Sequence, residues 1–189
     1  YTYYVNNYFF GVGQNNVDNL GAGCIIVSEY GVNWSEPVNI LTNGICTSIT
    51  YGNGYYVVIG YNTNDKTCYT IKNLSSTDWS TPIVSSSINN GGLSTIVFIN
   101  NTFIIGGQFV DIDNKKYGCI LTSSDLSTWE TTINNQVTTI NSITHNDTIY
   151  IAVGQNVMDN GCVIISPTDN TGWASEPIST SSTNLCSII

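Results

Sequence analysis

The chain has 189 residues, which is enough for one domain with a sizeable core and leaves little room for a second. It carries four lysines, no arginine and thirteen acidic residues, and the net charge of −9 argues against nucleic acid or an anionic membrane as a partner. Charged residues make up 9% of the chain, while Asn, Ser, Thr, Gly and Tyr are abundant, a composition typical of extended strands and polar turns. We therefore predict one all-β domain spanning residues 1–189.

The sequence offers no candidate for membrane insertion. No segment approaches the roughly 18 uninterrupted apolar residues that a membrane-spanning helix needs, and no signal peptide stands at its start. Because the chain begins at Tyr1 rather than methionine, we expect a processed product or an ordered part of something longer.

Internal repeats run through the whole sequence. Four apolar runs end in glycine: YFFGVGQ, YVVIGY, FIIGGQ and IAVGQ, with final glycines 47 residues apart at Gly13, Gly60, Gly107 and Gly154. A tryptophan follows each run, at Trp34, Trp79, Trp129 and Trp173, and a cysteine precedes each tryptophan by ten or eleven residues. The chain therefore consists of four copies of one unit, approximately residues 1–47, 48–94, 95–141 and 142–189.

Each unit predicts four short strands in a fixed order. The first is the SITY segment and its counterparts, Ser48–Tyr51, Thr95–Phe98 and Ser142–His145, and it ends in an Asn- and Gly-rich hairpin turn. The second is the apolar run, whose lack of alternation indicates burial on both faces. The third begins at the recurrent cysteine. The fourth begins at the tryptophan and holds Pro37, Pro82 or Pro177, and proline marks an edge strand because it cannot donate to a ladder.

Four antiparallel strands with buried inner members and a proline-bearing outer edge describe a propeller blade. The sequence therefore predicts an all-β fold, a β-propeller of four-stranded antiparallel blades. The four repeats form either a four-bladed ring or part of a larger propeller.

The segment SITYGNGYYVVIG and the later segment LTSSDLSTW resemble the Asp-box repeats of sialidase-like propellers and the degenerate repeats of bacterial surface and phage tail-associated proteins. The family's box places Ser, Asp, Gly and Trp in the turn between third and fourth strands. NLSSTDW of the second unit has lost most of the box. The other three units match it in part, with these residues: Ser123, Asp125 and Trp129; Ser28, Glu29, Gly31 and Trp34; Ser166, Asp169 and Trp173. The resemblance implies a turn in which Asp or Ser accepts amide hydrogen bonds and Trp packs between sheets.

Sialidase chemistry is not expected. Sialidases hold the carboxylate of their substrate with arginines, and this chain has none. The one histidine, His145, stands where other units have Tyr4, Tyr51 and Phe98, so a packing role is favoured over general-base catalysis. Carboxylate pairs, for example Glu36 and Glu176, are a weak signal for glycoside hydrolysis. We predict that the chain is not an enzyme.

The loops between second and third strands carry acidic residues at similar positions: Asp18, Asp65, Asp113 and Asp159. Asp111 and Asp113 are the best calcium candidates among them. The spacing lacks a complete calcium-loop signature, and Asn and Asp are ordinary turn formers, so plain turns are favoured. One histidine and no close cysteine pair exclude a credible zinc site, and we predict no cofactor.

The six cysteines suggest two disulfides. Cys24 with Cys46 and Cys162 with Cys186 occupy matching positions in the first and last units. The alternative is that all six are buried thiols. Cys68 and Cys119 lack such partners and are predicted to be buried thiols or links to another chain.

Two further features concern modification and assembly. Asn-x-Ser/Thr sequons, which matter in a eukaryotic secreted protein, occur at Asn33, Asn73, Asn100 and Asn146. Residues 187–189 align with residues 1–3 and begin a fifth unit, so either a ring closes with overlapping ends or the array continues. An open array end would expose a strand edge able to pair with a neighbouring chain.

Three functions remain open. The first is a structural or adhesive component of an extracellular or cell surface, in which other subunits of a filament or appendage are partners. The second is glycan binding, with Tyr30, Tyr61 and Tyr117 as candidates for stacking on sugar rings. The third is a glycoside-processing enzyme with paired carboxylates. We rank the three functions in this order. Self-association through the chain ends or through Cys68 and Cys119 is a further prediction.

Overall fold

A computed structural model describes residues 1–16, 21–88, 90–146, 148–167, 172–173, 178–179 and 185–188. In these residues the chain forms four antiparallel sheets of four strands each, paired in chain order, and no helix. The predicted β-propeller fold of four-stranded blades is therefore confirmed, although the predicted repeat boundaries fall inside the first strands of the second, third and fourth sheets. The described residues contain no helix long and apolar enough to cross a membrane.

The strands of the four blades have the following bounds. Blade 1 contains β1 (Thr2–Val5), β2 (Tyr8–Asn15), β3 (Ala22–Ser28) and β4 (Val38–Leu41). Blade 2 contains β5 (Gly44–Gly52), β6 (Tyr55–Asn62), β7 (Cys68–Asn73) and β8 (Ile83–Ile88). Blade 3 contains β9 (Gly91–Ile99), β10 (Thr102–Val110), β11 (Lys116–Ser123) and β12 (Glu130–Asn134). Blade 4 contains β13 (Val137–His145), β14 (Ile149–Asn156), β15 (Gly161–Pro167) and β16 (Ile178–Ser179).

The chain divides into two compact units, Tyr1–Leu93 and Ser94–Ile189, whereas the sequence predicts one domain. The first unit has a core in which Phe10 and Ile25 of blade 1 pack with Ile49, Tyr56 and Trp79 of blade 2. The second has its own cluster, built from residues of blades 3 and 4: Ile99, Ile104, Ile120, Val137, Ile140, Ile143, Tyr150, Ala152, Cys162 and Ile164. A pair of blades is therefore the compact element of this fold.

The hairpin turns between first and second strands match the sequence prediction. Asn6 and Asn7 have φ of 52° and 66°, and Asn53 and Gly54 have φ of 48° and 80°. Positive φ at both central residues is what a type I′ turn requires, and Asn and Gly tolerate it best.

Two strand boundaries differ from the sequence prediction. The first strands begin earlier than predicted, at Gly44, Gly91 and Val137, because pairing resumes on the far side of register shifts in β5 and β13. The fourth strands begin after the tryptophan and proline, since Pro37 and Pro82 immediately precede β4 and β8. Pro177 lies outside the described residues.

An asparagine side chain links the two blades of each unit. Asn6 Nδ2 donates to the Tyr56 hydroxyl at 3.0 Å, and Asn100 Nδ2 donates to the Tyr150 hydroxyl at 3.2 Å. Tyr56 and Tyr150 are only 4% and 2% exposed, so each hydroxyl needs a partner inside the protein. The two contacts are related by a shift of 94 residues, or two repeats.

The described end of the chain lies against blade 4. Leu185 N donates to Gly154 O at 3.4 Å, and Asn141 Nδ2 donates to Leu185 O at 2.7 Å. In the first unit, Thr47 Oγ1 donates to Leu93 O at 2.7 Å from the position equivalent to Asn141. Residues 185–188 therefore contact blade 4 as the start of β9 contacts blade 2. Ile189 lies outside the described residues, and pairing of the chain ends with another chain stays a prediction.

Gly60 and Gly154 are required by the close approach of a neighbouring backbone. A Cβ atom at Gly60 would collide with the carbonyl oxygen of Ile45, and one at Gly154 would collide with that of Thr139. Gly13 occupies the same repeat position in blade 1 and has nothing within 4 Å of where its Cβ would be. The recurrent glycine is therefore a steric necessity at two blades and dispensable at the first.

We predict that Gly60→Ala destabilises the protein by about 1–3 kcal/mol, because the added methyl group forces the β5 backbone away from β6. Gly13→Ala is the matched control and changes stability by less than about 0.5 kcal/mol. Urea unfolding followed by tryptophan fluorescence measures both. Equal effects of the two substitutions would contradict the steric explanation.

Candidate functional site

A groove of about 520 Å³ lies within the first unit, between the outer strand of blade 1 and the segment that leads into β8 of blade 2. Its volume is in the range of small-molecule binding sites. Residues 39–43 form one wall, residues 80–82 and Val84 form the other, and Gly21 and Ala22 close one end. The β4 edge and the β7–β8 turn thus position the lining.

The lining combines polar uncharged groups with short apolar surfaces. Amides and hydroxyls come from Asn39, Thr42, Asn43, Ser80 and Thr81, and apolar surface from Ile40, Leu41, Pro82 and Val84. None of the lining residues carries a charge. Such a surface suits a neutral ligand rich in hydroxyl groups, because amides and hydroxyls both donate and accept hydrogen bonds.

Part of this polar surface is already held in place. Asn39 Oδ1 accepts a hydrogen bond from Asn15 Nδ2 at 3.2 Å, and Ser80 Oγ donates to Asp78 Oδ1 at 2.7 Å. The amide nitrogen of Asn39 and the lone pairs of Ser80 remain for a ligand. The groove therefore offers oriented groups rather than freely rotating ones.

Asp78 is the carboxylate next to the groove wall. Hydrogen bonds from the side chain and backbone of Ser80 lower the pKa of Asp78 below its usual value. A carboxylate held in its ionised form is a poor proton donor to a leaving group. Asp78 is therefore suited to orienting Ser80 rather than to general-acid catalysis.

The three predicted stacking tyrosines lie in three different blades. Tyr30 lies in the turn after β3. Tyr61, near the end of β6, and Tyr117, near the start of β11, each lie at the other end of their own blade, and they belong to different units. Lys66 Nζ lies 5.8 Å from the Tyr61 ring centroid, and Lys115 Nζ lies 5.1 Å from that of Tyr117. Both rings therefore already make a cation–π contact with a lysine. None of the three lines the groove.

Tyr30 is the most exposed of these tyrosines, at 77%. Its hydroxyl donates to Glu29 Oε1 at 2.9 Å. This hydrogen bond and the charge of Glu29 raise the pKa of Tyr30, so the phenol stays protonated at neutral pH. Tyr30 can offer a ring face and a hydroxyl to a ligand, and it is not activated as a nucleophile.

The turn that resembles the Asp-box is built around Asp125. Its carboxylate accepts hydrogen bonds from Ser127 Oγ at 2.6 Å, Ser127 N at 2.8 Å and Thr128 N at 3.0 Å. Ser123 Oγ accepts from Leu126 N at 2.9 Å. The Ser127 hydroxyl, followed by the Thr128 and Ser127 amides, holds the pKa of Asp125 well below its usual range. The Asp125 carboxylate is therefore engaged in hydrogen bonds within its own turn and has a structural role.

Blade 2 rebuilds a similar turn from different positions. Ser75 Oγ accepts from Asp78 N at 2.8 Å, and Asn73 Nδ2 donates to Asp78 O at 2.6 Å. Trp79 follows, 1% exposed, with its indole nitrogen 3.2 Å from Ser76 O. The turn that looked degraded in the sequence therefore still caps its blade. Asp169, in the last unit, lies outside the described residues.

The calcium candidates form an ordinary turn. Asp111 Oδ1 accepts from Asp113 N and Lys115 N, both at 2.9 Å, and Oδ2 accepts from the Tyr117 hydroxyl at 2.9 Å. The Lys115 amide is the largest cause that lowers the pKa of Asp111. No group of three or more His, Cys, Asp or Glu side chains able to hold a metal occurs among the residues that the structure describes. Asp18 lies outside them.

All six cysteines are free thiols in this structure. The predicted bridges Cys24–Cys46 and Cys162–Cys186 are therefore absent from it, although Cys24 is close enough to contribute to raising the pKa of Cys46. Burial is the larger cause and raises the pKa of Cys46 to about 12.

The predicted links through Cys68 and Cys119 do not fit the structure. Both thiols are 0% exposed, and burial raises the pKa of Cys68 to about 12. A buried, protonated thiol is neither accessible nor nucleophilic, so the alternative prediction of buried thiols fits these two residues.

Two of the four sequon asparagines have their amide nitrogens engaged. Asn73 Nδ2 donates to two carbonyls of its own turn, and Asn100 Nδ2 donates to Tyr150. Asn146 uses its Oδ1 to cap a turn, and Asn33 is exposed. A glycan on Asn100 would break the contact between blades 3 and 4.

His145 lies beside a tyrosine ring, and only one member of the predicted carboxylate pair lies among the described residues. The exposed His145 ring stacks on Tyr150 with centroids 5.9 Å apart and planes at 22°, and its packing role stays a prediction. Glu36 is exposed, and Glu176 lies outside the described residues.

No protein-family model matches the chain, and no curated protein matches its sequence. Its fold is similar to that of a Trypanosoma rangeli sialidase, with a TM-score of 0.64 at 10% identity over 94% of this chain and 36% of that one. It is also similar to a Bombyx mori β-fructofuranosidase variant in complex with sucrose, with a TM-score of 0.53 at 12% identity over 93% and 48%. The chain has a sialidase-like β-propeller fold.

An α-L-arabinofuranosidase from Clostridium thermocellum gives a TM-score of 0.50 at 12% identity, covering 94% of this chain and 70% of the enzyme. The chain thus spans about a third of the length of the sialidases that it matches, 36%. These identities show the fold alone, and a reaction or substrate for this chain is a proposal.

The prediction that the chain is not an enzyme is corrected by these comparisons, because the solved structures that share its fold are glycoside hydrolases. That prediction rested on the missing arginine clamp, which matters for a substrate that carries a carboxylate. Sucrose, which is bound in the Bombyx mori structure, is neutral and needs no such clamp. The argument from arginine therefore applies to sialic acid and leaves neutral sugars open.

We predict that Asp125→Ala destabilises the protein at pH 7 and that the loss shrinks below about pH 4. The folded-state pKa of Asp125 lies below its unfolded value of 3.8, so its stabilisation is complete above that value. It disappears as the pH falls through the folded-state pKa. Urea unfolding of both proteins at pH 7 and pH 3 measures the difference.

The control for this prediction is Glu130→Gln, which removes an equal charge at the start of the following strand. It leaves the hydrogen bonds of the Asp125 turn in place. A pH-independent cost of Asp125→Ala would show that the side chain does not act through its ionised form.

We predict that a thiol reagent labels the exposed Cys186 in the native protein and spares Cys46, Cys68 and Cys119 until the protein is denatured. Peptide mass spectrometry after labelling with and without guanidinium measures this. Denatured, unreduced protein also tests the predicted disulfides, since bridged cysteines stay unlabelled. Rapid native labelling of Cys68 would contradict the burial.

Proposed function

We propose that the chain is a carbohydrate-recognising β-propeller whose groove in the first unit holds a neutral saccharide. The single observation that supports this best is the lining, which has five amide- or hydroxyl-bearing side chains and no charge around a volume of about 520 Å³. The fold likeness to an arabinofuranosidase and to a sucrose-bound β-fructofuranosidase supports the same ligand class. An extracellular or cell-surface location and an adhesive role belong to this proposal, because glycans are displayed there.

The apolar part of the lining has a part in this proposal. Pro82 and the exposed Val84 offer a surface for the C–H face of a sugar ring, while the side chains of Asn39 and Ser80 can bond its hydroxyls. The net charge of −9 opposes acidic sugars, which would be repelled by the surface as a whole. Neutral hexosides and pentosides are therefore the preferred class.

The turn between third and fourth strands belongs to the same proposal. The hydrogen bonding of Ser123 and Asp125 supports a degenerate Asp-box of the kind found in sialidase-like and bacterial or phage surface propellers. In this chain the box caps the blade and shapes the segment that borders the groove in blade 2.

The glycoside-hydrolase alternative is favoured by the comparisons. Hydrolysis needs two carboxyl groups about 5–10 Å apart across the bond that is cleaved. The groove lining contains none, and Asp78 beside it is held ionised. Turnover would therefore need carboxylates contributed from outside the lining.

The test is binding of neutral oligosaccharides by a glycan array, followed by calorimetry on any hit. We predict that Thr81→Trp, which places an indole in the groove, weakens binding at least about ten-fold. Thr131→Trp is the matched control, because Thr131 is an exposed threonine on the outer strand of blade 3. The same samples are assayed for release of reducing sugar.

Binding that survives Thr81→Trp would move the site elsewhere. Binding of sialylated glycans in preference to neutral ones would contradict the proposed ligand class. Release of reducing sugar that Thr81→Trp abolishes would extend the proposal to catalysis at this groove.

A further inference from the structure

The same aromatic arrangement recurs at the start of the first hairpin of each blade. Tyr4 pairs with Phe9 across β1 and β2, with ring centroids 4.5 Å apart, and Tyr51 pairs with Tyr56 across β5 and β6, with centroids 4.7 Å apart. His145 and Tyr150 occupy the same positions in blade 4. Consecutive members of each series are separated by 47 residues or a multiple of 47.

In blades 2 and 4 the preceding blade covers this arrangement. Phe10 of blade 1 lies with its ring centroid 5.0 Å from that of Tyr56, and Asn6 bonds the Tyr56 hydroxyl. Asn100 of blade 3 bonds Tyr150 in the same way. Trp79 of blade 2 is buried beside Tyr56, with centroids 6.4 Å apart. In both cases the aromatic pair is therefore covered by the preceding blade of the same chain.

Blade 1 carries the equivalent side chains, and two of them are exposed. Tyr4 is 55% exposed and Trp34, the counterpart of Trp79, is 38% exposed. The Trp34 ring lies 3.6 Å from the position that a Cβ would take at Gly11, so the indole is seated on the sheet as Trp79 is in blade 2. We refer to Tyr4, Phe9 and Trp34 as the first-blade aromatic face.

Blade 4 presents the complementary surface. Phe10, the covering residue of blade 1, has its repeat counterparts at Val57, Ile104 and Ile151. Phe10, Val57 and Ile104 are 0% exposed, whereas Ile151 is partly exposed. Ile165 pairs with Ile151 across β14 and β15 and is also partly exposed, as is Val163 on the same side of the sheet. We refer to Ile151, Val163 and Ile165 as the fourth-blade apolar face.

We propose that the chain associates head to tail, with the fourth-blade apolar face of one copy docking on the first-blade aromatic face of the next. The contact repeats the packing that joins blade 1 to blade 2. Because the two faces differ, the association is heterologous and continues beyond a dimer unless a ring closes. This proposal is independent of the groove, whose lining shares no residue with either face.

The charge of the chain sets the conditions of the association. Each copy carries a net charge of −9, so like-charge repulsion opposes docking at low ionic strength. At an ionic strength of about 0.15 M the Debye length is about 8 Å, so charges farther apart than this hardly repel one another. The apolar contact is not weakened by salt. Association should therefore strengthen as salt is added.

Sedimentation velocity on the full chain over a range of concentrations tests the proposal. We expect dimers and larger species that increase with concentration and with salt. Trp34→Ser and Ile151→Asp should each raise the concentration for half-association at least about ten-fold, the equivalent of about 1.4 kcal/mol. Tyr30→Ser is the matched control, since Tyr30 is 77% exposed on the same blade and has no counterpart in the blade contact. Circular dichroism confirms that each variant is folded.

Mixing the two variants gives the decisive result. The Trp34→Ser protein keeps an intact fourth-blade apolar face, and the Ile151→Asp protein keeps an intact first-blade aromatic face, so a mixture should form a dimer that neither variant forms alone. If Ile151→Asp fails to fold, Ile165→Ser replaces it. A wild-type chain that stays monomeric at every concentration, association that survives both variants, or a mixture that stays monomeric would overturn the proposal.

Discussion

The packing of one blade against the next through a buried aromatic pair is the interaction on which this structure depends. Phe10 packs against the Tyr56 ring, and Asn6 donates a hydrogen bond to the Tyr56 hydroxyl. Trp79 also packs against the Tyr56 ring. Burying a side chain of this size contributes about 1.5–3 kcal/mol, and the polar hydroxyl is tolerated because Asn6 satisfies it. In each unit, residues of both blades form one core cluster, so each blade buries an apolar side against its neighbour.

The turn chemistry serves the same contact. Asn6 and Asn100 stand at positive φ in tight turns, which points their amides toward the tyrosine of the following blade. The Ser and Asp side chains of the outer turns bond backbone amides and hold the tryptophan in place. The Asp125 carboxylate is occupied in this way by the amide and hydroxyl of Ser127.

The proposed binding groove lies at the margin of the contact between blades 1 and 2. The groove forms where the outer edge of blade 1 meets the turn that enters β8, and both sides of that groove are polar and neutral. The likeness to glycoside hydrolases at 10–12% identity shows a shared fold, and a shared fold does not carry a specificity with it. The proposed head-to-tail contact uses residues of blades 1 and 4 that lie outside this groove.

The sequence by itself determined the repeat, the four strands of each blade, the hairpin turns and the buried second strand, because these depend on local periodicity and on the φ preferences of Asn and Gly. Only the tertiary structure decided that Tyr30 and Tyr61 lie at opposite ends of their blades and that Cys68 is inaccessible. It also revealed the groove, since Asn39 and Thr81 resemble dozens of other polar residues in the chain. Which of them meet across two blades depends on strand register and blade packing, and these are set by contacts between residues distant in sequence.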